Sequence, residues 1–140
     1  MIKPMALNKN DIVAIFAPSR YIGGFEKGIE DGIDLIGGAG FRIRRTKSLS
    51  WHYGEAAGRA EDRAEELMSL IKDPEVKAIW SAMGGDACNQ LLPLLDYKEI
   101  ASNPKIIIGF SDITTLLLSI YHKSNLMTFH GPNVKDLTSI

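Results

Sequence analysis

The stretch that decides the fold reads Lys105-Ile106-Ile107-Ile108-Gly109-Phe110-Ser111-Asp112-Ile113-Thr114-Thr115-Leu116. A short apolar run ends at Gly109, a serine follows two residues later, and an amphipathic helical pattern begins at Ile113. This layout predicts a strand, a sharp turn and a helix, with the Ser111 hydroxyl at the apex. Because a helix N-terminus carries partial positive charge, Ser111 becomes a candidate covalent nucleophile.

Length and composition are typical of one folded domain. The chain has 140 residues, of which 45% are hydrophobic and 24% charged, and its net charge is −1. Such a chain buries a real core and has no basic patch dense enough to hold a nucleic acid. No apolar run approaches the roughly 18 residues of a membrane span, and no signal peptide is visible. We therefore expect a cytoplasmic protein without nucleic-acid or membrane partners.

Strand and helix patterns alternate along the chain. The continuous apolar run from Ile12 to Ala17 predicts a strand that is buried on both faces, as in a parallel sheet. The predicted strands are Asp11 to Ala17, Phe41 to Thr46, Val76 to Ala82, Lys105 to Phe110 and Leu126 to Phe129. The predicted helices are Phe25 to Ile36, Arg59 to Lys72, Ala87 to Leu95 and Ile113 to Lys123, with Asp96 to Ala101 irregular or a single helical turn.

This order predicts an α/β fold with a doubly wound, mainly parallel sheet of five strands, flavodoxin-like, with helices on both faces. In such sheets functional groups gather beyond the carboxyl ends of the strands. Three loops fall there, and we expect them to share one crevice: Pro18-Ser19-Arg20, Gly84-Gly85-Asp86 and Gly109-Phe110-Ser111-Asp112.

Ser111 has a catalytic and a structural interpretation. As a nucleophile it would use the backbone N–H of Asp112 as one oxyanion donor. Alternatively, Ser111 or Asp112 simply caps the helix that begins at Ile113, since both residue types are preferred caps. The elbow pattern G-x-S-x-G is incomplete because Ile113 replaces the second glycine, and spacing alone favours the cap.

The paired glycines Gly84 and Gly85 follow a predicted strand. Their backbone N–H groups can approach a ligand closely, so Gly85 is a candidate second oxyanion donor, and Gly84 and Asp86 are candidate substrate contacts. A tight turn into the next helix is the structural alternative. Neither a dinucleotide fingerprint nor a phosphate-binding loop occurs in the sequence.

The remaining reactive side chains give weaker signals. The single cysteine, Cys88, lies inside a predicted helix and is interpreted as a buried small residue. Three histidines without metal-ligand spacing complete the set: His52, His122 and His130. His130 ends the last strand and could approach Ser111, while His122 is interpreted as a favourable charge at a helix C-terminus. The Trp51-His52-Tyr53 loop covers a site or packs on the domain, and Arg42 and Arg44 indicate a solvated edge strand.

Several motifs together resemble the LD-carboxypeptidase family of serine peptidases, which includes muramoyltetrapeptide carboxypeptidases and microcin C immunity peptidases. The motifs stand in order from Ile12 to Pro132, so the resemblance covers nearly the whole chain. They are Ala17-Pro18-Ser19, Met83-Gly84-Gly85-Asp86, Asn89 through Tyr97, Asn103-Pro104-Lys105, Gly109 through Thr114 and His130-Gly131-Pro132. Asp86 and Ala87 depart from the commoner Gly-Gly-aromatic-Gly pattern.

The resemblance implies that residues 1–140 form an N-terminal α/β domain in which Ser111 is the nucleophile and Asp112 and Gly85 supply oxyanion N–H groups. It also implies that a glutamate and a histidine from a C-terminal domain, absent from this chain, complete the triad. We therefore leave the base role of His130 and His122 unassigned and expect the isolated chain to be inactive.

The resemblance further implies a peptide substrate, either a murein tetrapeptide or a peptidyl-nucleotide conjugate, no metal or organic cofactor, and a homodimer in the full-length protein. A hypothesis of a different class remains: a non-catalytic flavodoxin-like module that holds a small anion or nucleotide in the same crevice.

Overall fold

The computed structural model of the protein describes residues 1–139 as a five-stranded parallel sheet with helices on both faces. The strand order is β2-β1-β3-β4-β5, which is the flavodoxin-like order and confirms the predicted fold class. The strands are β1 (Ile12–Phe16), β2 (Arg42–Arg45), β3 (Val76–Ser81), β4 (Ile106–Gly109) and β5 (Phe129–His130). The α-helices are α1 (Glu26–Gly38), α2 (Ala60–Lys72), α3 (Tyr97–Ser102) and α4 (Ile113–Ser124). Three 3₁₀ helices span Lys47–Ser50, Cys88–Leu94 and Val134–Asp136.

The sheet divides the core into two apolar layers. Alternate residues of β1 point to opposite faces, so Ala14 and Phe16 pack in one layer and Val13 and Ile15 in the other. The first layer receives the buried faces of α2, α3, α4 and the Cys88–Leu94 helix, and the second receives α1 and Val134. Every residue of β1 is buried, which is why its sequence shows no polar alternation.

Helix α1 and the Val134–Asp136 helix pack at unusually close range. A methyl group on Gly32 would lie 2.1 Å from the Val134 carbonyl oxygen, and one on Gly28 would lie 3.2 Å from the Lys135 carbonyl oxygen. The backbone N–H of Lys135 donates to Ala82 O at 3.0 Å. The chain beyond β5 is thereby fixed across α1 and beside the end of β3.

The structure corrects three predicted elements. The last strand is Phe129–His130 and not Leu126 to Phe129, because Leu126 forms an isolated parallel bridge with Ile2 instead. The predicted helix at Ala87 to Leu95 is a 3₁₀ helix that contains Pro93, a residue unable to donate an α-helical hydrogen bond. Residues 97–102 form α3, whose first backbone N–H groups donate to the Asp96 carboxylate.

The carboxyl ends of β1, β3 and β4 lie at one edge of the sheet. Arg20 N donates to Gly84 O at 3.3 Å, and Ala82 N donates to Phe16 O at 2.8 Å, so the loops after β1 and β3 are directly joined. Within residues 1–139 no helix combines the length and apolarity that a membrane crossing requires.

Candidate functional site

The turn between β4 and α4 holds Ser111 in a strained, exposed conformation. Its φ is 60°, in the left-handed region that L-residues other than Asn and Asp seldom occupy. Asp112 already has helical dihedrals, and neither Ser111 nor Asp112 caps α4 through its side chain. The capping interpretation is therefore wrong. Because Ser111 is exposed at the start of a 12-residue helix, its hydroxyl is presented at the carboxyl edge of the sheet.

The segment that follows β5 is hydrogen-bonded to the elbow. Asn133 is buried, and its Oδ1 accepts the N–H of Phe110 at 3.2 Å. Gly131 N donates to Gly109 O at 3.0 Å. A methyl group on Gly109 would lie 2.5 Å from Ile113 Cγ2, so only glycine fits where the strand folds back on the helix. Sequence reasoning found Gly109 but missed Asn133, whose sole signal was its position after Gly131-Pro132.

The glycine pair lies directly beside the elbow, as predicted. A methyl group on Gly84 would lie 3.5 Å from Asp112 N and 3.7 Å from Ser111 Cβ. Gly85 is exposed, with φ 149°. Among the described residues, the backbone N–H groups of Asp112 and Gly85 donate to no protein acceptor. Two main-chain donors near Ser111 are therefore available to a ligand.

The Asp112 side chain links the elbow to the other two loops. Its Oδ2 accepts the Ser19 hydroxyl at 2.6 Å and the N–H of Cys88 at 3.1 Å. Ser19 is fully buried, and its Oγ accepts the N–H of Ala87 at 2.9 Å. The sequence placed Asp112 and Ser19 in the crevice, but it gave no sign that their side chains bond to one another.

A buried guanidinium ties the same loops together from the side of α2. Arg63 donates to Pro18 O at 2.6 Å, to Gly58 O at 2.8 Å and to Ala87 O at 3.1 Å. Burial lowers the pKa of Arg63, and the carboxylate of Asp112 acts in the opposite direction. Sequence reasoning missed Arg63, because an arginine within a helix is usually solvated.

A cleft of about 450 Å³ opens next to the glycine pair. Its lining includes Gly85, Asp86, Tyr53 and Arg20. The aromatic loop packs on the domain, since Trp51 packs against Gly58 and the His52 ring stacks on the Tyr21 ring with their centroids 3.7 Å apart. Tyr53 lines the cleft, and a role of the loop in covering a functional site stays a prediction. Of the candidate substrate contacts, Asp86 lines the cleft and Gly84 lies against the elbow; neither Gly84 nor Ser111 is among the residues that line the cleft.

The histidines and Cys88 stand apart from Ser111 chemistry. His130 pairs with Gly109 across the strands, but its ring packs edge-on against Phe110, and among residues 1–139 it has no hydrogen bond to Ser111. His122 lies in the last turn of α4. Cys88 is buried as predicted, and burial raises the pKa of its thiol to about 12.

The basic residues of β2 behave as expected of an edge strand. Arg42 is exposed, Arg44 pairs with Asp73, and Arg45 pairs with Glu30 at 2.5 Å. Over residues 1–139 the structure brings together no group of three His, Cys, Asp or Glu side chains fit to hold a metal ion. Ser111 itself combines an exposed hydroxyl with the adjacent unpaired N–H of Asp112, an arrangement that can serve acyl transfer to a serine.

Known proteins are similar to this chain in both sequence and fold. The family model described as the LD-carboxypeptidase N-terminal domain matches residues 13–131. The chain is 35% identical to the probable murein peptide carboxypeptidase of Bacillus subtilis, over 93% of this chain and 40% of that protein. It is 38% identical to the murein tetrapeptide carboxypeptidase of Pseudomonas aeruginosa, over 69% of this chain and 31% of that protein.

Among solved structures, the microcin C7 self-immunity protein MccF in complex with aspartyl sulfamoyl adenosine superimposes with a TM-score of 0.91 at 35% identity. The match covers 96% of this chain and 40% of the MccF chain. The chain thus spans at most 40% of the length of the relatives named here. Since the family model covers most of the sequence and the fold agrees, this chain belongs to the LD-carboxypeptidase family, with residues 13–131 matching its N-terminal domain.

Proposed function

We propose that this chain is the nucleophile-bearing domain of a serine carboxypeptidase that removes the C-terminal residue of murein tetrapeptides or related peptide conjugates at an LD bond. The observation that carries the proposal is Ser111. It is exposed and has a φ of 60°, it precedes the unpaired N–H of Asp112, and it lies against Gly84, whose neighbour Gly85 also has an unpaired N–H. Membership in a carboxypeptidase family supports the same reaction class.

In the proposed reaction, Ser111 Oγ attacks the carbonyl carbon that precedes the C-terminal residue. A histidine, oriented by a glutamate, takes the serine proton and delivers it to the departing amine. The carbonyl oxygen becomes an oxyanion, which the N–H groups of Asp112 and Gly85 stabilise; one such donor contributes about 3 kcal/mol in the transition state. Water then hydrolyses the acyl-enzyme and frees Ser111.

The histidine and the glutamate are proposed to come from a C-terminal domain outside these 140 residues. His122 is the tenth residue of α4 and lies about 14 Å along the helix axis from its start. This is too far for its imidazole to take the proton of Ser111. His130 packs on Phe110. Loss of triad partners leaves little activity, so we expect the isolated chain to release no terminal residue above the buffer blank. Turnover by the isolated chain that Ser111→Ala abolished would contradict this expectation.

Two substrate classes fit the family. The relatives of Bacillus subtilis and Pseudomonas aeruginosa carry murein peptide names, and MccF was solved with aspartyl sulfamoyl adenosine. In either case we propose that the peptide extends from the cleft beside Gly85 and Asp86 to Ser111, with Gly84 near the scissile bond. We also propose a cytoplasmic, homodimeric full-length enzyme that needs no cofactor and binds neither nucleic acid nor membrane.

The test is a fusion of this chain to the C-terminal part of the Bacillus subtilis relative. The fusion is given a tetrapeptide ending in D-alanine, and free D-alanine is measured together with fluorophosphonate labelling. We expect release and labelling that Ser111→Ala removes, while Ser102→Ala, an exposed serine of α3, changes neither. A folded fusion that binds phosphate but shows neither release nor labelling would overturn the proposal and favour the anion-binding module.

A further inference from the structure

The proposed chemistry uses the backbone of Asp112 and leaves its side chain without a role. That carboxylate nevertheless accepts a short hydrogen bond from the Ser19 hydroxyl, at 2.6 Å. A hydroxyl donor at this distance from a carboxylate forms a charge-assisted hydrogen bond, which is about twice as strong as a neutral one. Ser19 is also fully buried, so its hydroxyl has no water to compete for the bond.

Both partners also receive backbone N–H groups from the turn that carries the glycine pair. Ala87 N donates to Ser19 Oγ at 2.9 Å, and Cys88 N donates to Asp112 Oδ2 at 3.1 Å. A methyl group on Gly85 would lie 2.6 Å from Ser19 Oγ, so the turn lies directly on this hydroxyl. One chain of hydrogen bonds therefore runs from the residue after Ser111 to the residues after Gly85.

The Gly84–Ala87 turn needs such a restraint. Two consecutive glycines have the largest backbone freedom of any dipeptide. On its other side the turn is bonded through Gly84 O, which accepts Arg20 N at 3.3 Å. An oxyanion donor is effective only when it is preorganised, and a displacement of about 1 Å can cost about 100-fold in rate. The N–H of Gly85 would lose its position if the turn were free to move.

We propose that the side chains of Ser19 and Asp112 are positioning residues that fix the Gly84–Ala87 turn against the Ser111 elbow. This inference rests on the proposed function in assigning an oxyanion role to the N–H of Gly85. The hydrogen bonds themselves exist in the chain whether or not Ser111 reacts, so the positioning is measurable without catalysis.

Amide hydrogen exchange of the isotopically labelled 140-residue chain tests the proposal. Ser19→Ala is expected to speed exchange at Ala87 at least tenfold, and Asp112→Ala to speed it at Ala87 and Cys88, relative to the amides of β1 and β3. Asp112→Asn is expected to restore slow exchange, because its side-chain oxygen still accepts both bonds. The matched control is Ser48→Ala, another buried serine, whose Oγ accepts Ala17 N at 2.9 Å; only Ala17 should change.

Two results would overturn the proposal: exchange at Ala87 and Cys88 that stays slow in both alanine variants, or exchange that rises only as much as in the strands. If Ser19→Ala does not fold, the comparison of Asp112→Ala with Asp112→Asn tests the proposal, because Asp112 is partly exposed and its substitution disturbs the core less. In the fusion described above, kcat is expected to fall at least tenfold in Ser19→Ala and Asp112→Ala with KM within twofold, and Asp112→Asn to recover it. Unchanged kcat in these variants would refute the positioning role. A fusion without any turnover would instead count against Ser111 as the nucleophile, and amide exchange at Ala87 and Cys88 would then decide whether Ser19 and Asp112 position the turn.

Discussion

At the scale of single residues, Ser111 combines exposure with backbone strain. An L-residue in the left-handed region costs about 1–2 kcal/mol relative to glycine. Strain of this kind persists only where surrounding contacts impose it, and it concentrates at functional sites. Here Gly109 packs against Ile113, and Asn133 accepts the N–H of Phe110, so both contacts restrain the turn that leads into α4.

The strain predicts a reversal in the usual order of substitution. Ser111→Gly should be more stable than Ser111→Ala by about 1 kcal/mol, because glycine adopts a φ of +60° without a steric penalty. Ser69 is an exposed position inside α2, and there Ser69→Ala should be more stable than Ser69→Gly by a similar amount. Urea unfolding of the four variants measures both differences. Equal stability of the two Ser111 variants would show that the elbow is unstrained.

Cys88 gives a pH dependence of known sign. Its thiol pKa is about 12 in the folded chain and about 8.5 when unfolded, so folding favours the neutral thiol. This stabilisation is complete below about pH 8.5 and is lost as the pH rises toward 12, at about 1.4 kcal/mol per pH unit. Between about pH 7.5 and 9.5 the unmodified chain should lose about 1.4 kcal/mol more unfolding free energy than Cys88→Ala. Parallel losses in the two proteins would contradict the burial argument.

At the scale of elements, alanine substitutions at two glycines of α1 should change stability in opposite directions. Gly32→Ala places a methyl group 2.1 Å from Val134 O, so the two helices must separate, and we expect a loss of about 1–3 kcal/mol. Gly38 has no atom within 4 Å of the same position, and Gly38→Ala should gain about 0.5–1 kcal/mol through helix propensity. Chemical denaturation compares them. A neutral Gly32→Ala would mean that the Val134–Asp136 helix moves freely.

Elements with a strong local signal could be predicted from the sequence, and those set by distant contacts could not. The runs Ile12–Phe16 and Ile106–Gly109 are both apolar throughout, so strands within a parallel sheet could be predicted; the first is buried at every position and the second at alternate positions. Strand β5 is short and exposed, and Leu126, where the sequence predicted its start, pairs with the distant Ile2 instead.

The candidate site divides in the same way. The glycine pair and Ser111 could be placed because each follows a strand, and parallel strand ends share an edge. The bonds among Ser19, Asp112 and Ala87 join positions up to 93 residues apart, and no spacing in the sequence encodes them. The roles of Ser111, Asp112 and Gly85 in catalysis remain predictions.

At the scale of the whole molecule, one side chain holds three separated segments together. Arg63 of α2 donates to carbonyls that follow β1, precede α2 and follow β3, namely Pro18, Gly58 and Ala87. A guanidinium offers five donors in a fixed fork, and no neutral side chain of this size replaces them. The carboxyl edge of the sheet, where the cleft lies, therefore depends on one buried cation.

Removing that cation should destabilise the whole domain. Arg63→Met keeps much of the apolar stem but leaves three carbonyls without this donor, and each buried unsatisfied group costs about 1–3 kcal/mol. We expect a loss of at least 3 kcal/mol in unfolding free energy, measured in urea.

The matched control lies one helical turn earlier. Arg59 is exposed and reaches Glu61 only at 3.7 Å, so Arg59→Met should change stability by no more than about 0.5 kcal/mol. If Arg63→Met also changed the free energy of unfolding by no more than this amount, water would have to replace the guanidinium at all three carbonyls. The hydrogen bonds of Ser19, Gly84 and Ala82 would then suffice to hold the loops after β1 and β3 together, and the geometry around Ser111 would not need α2.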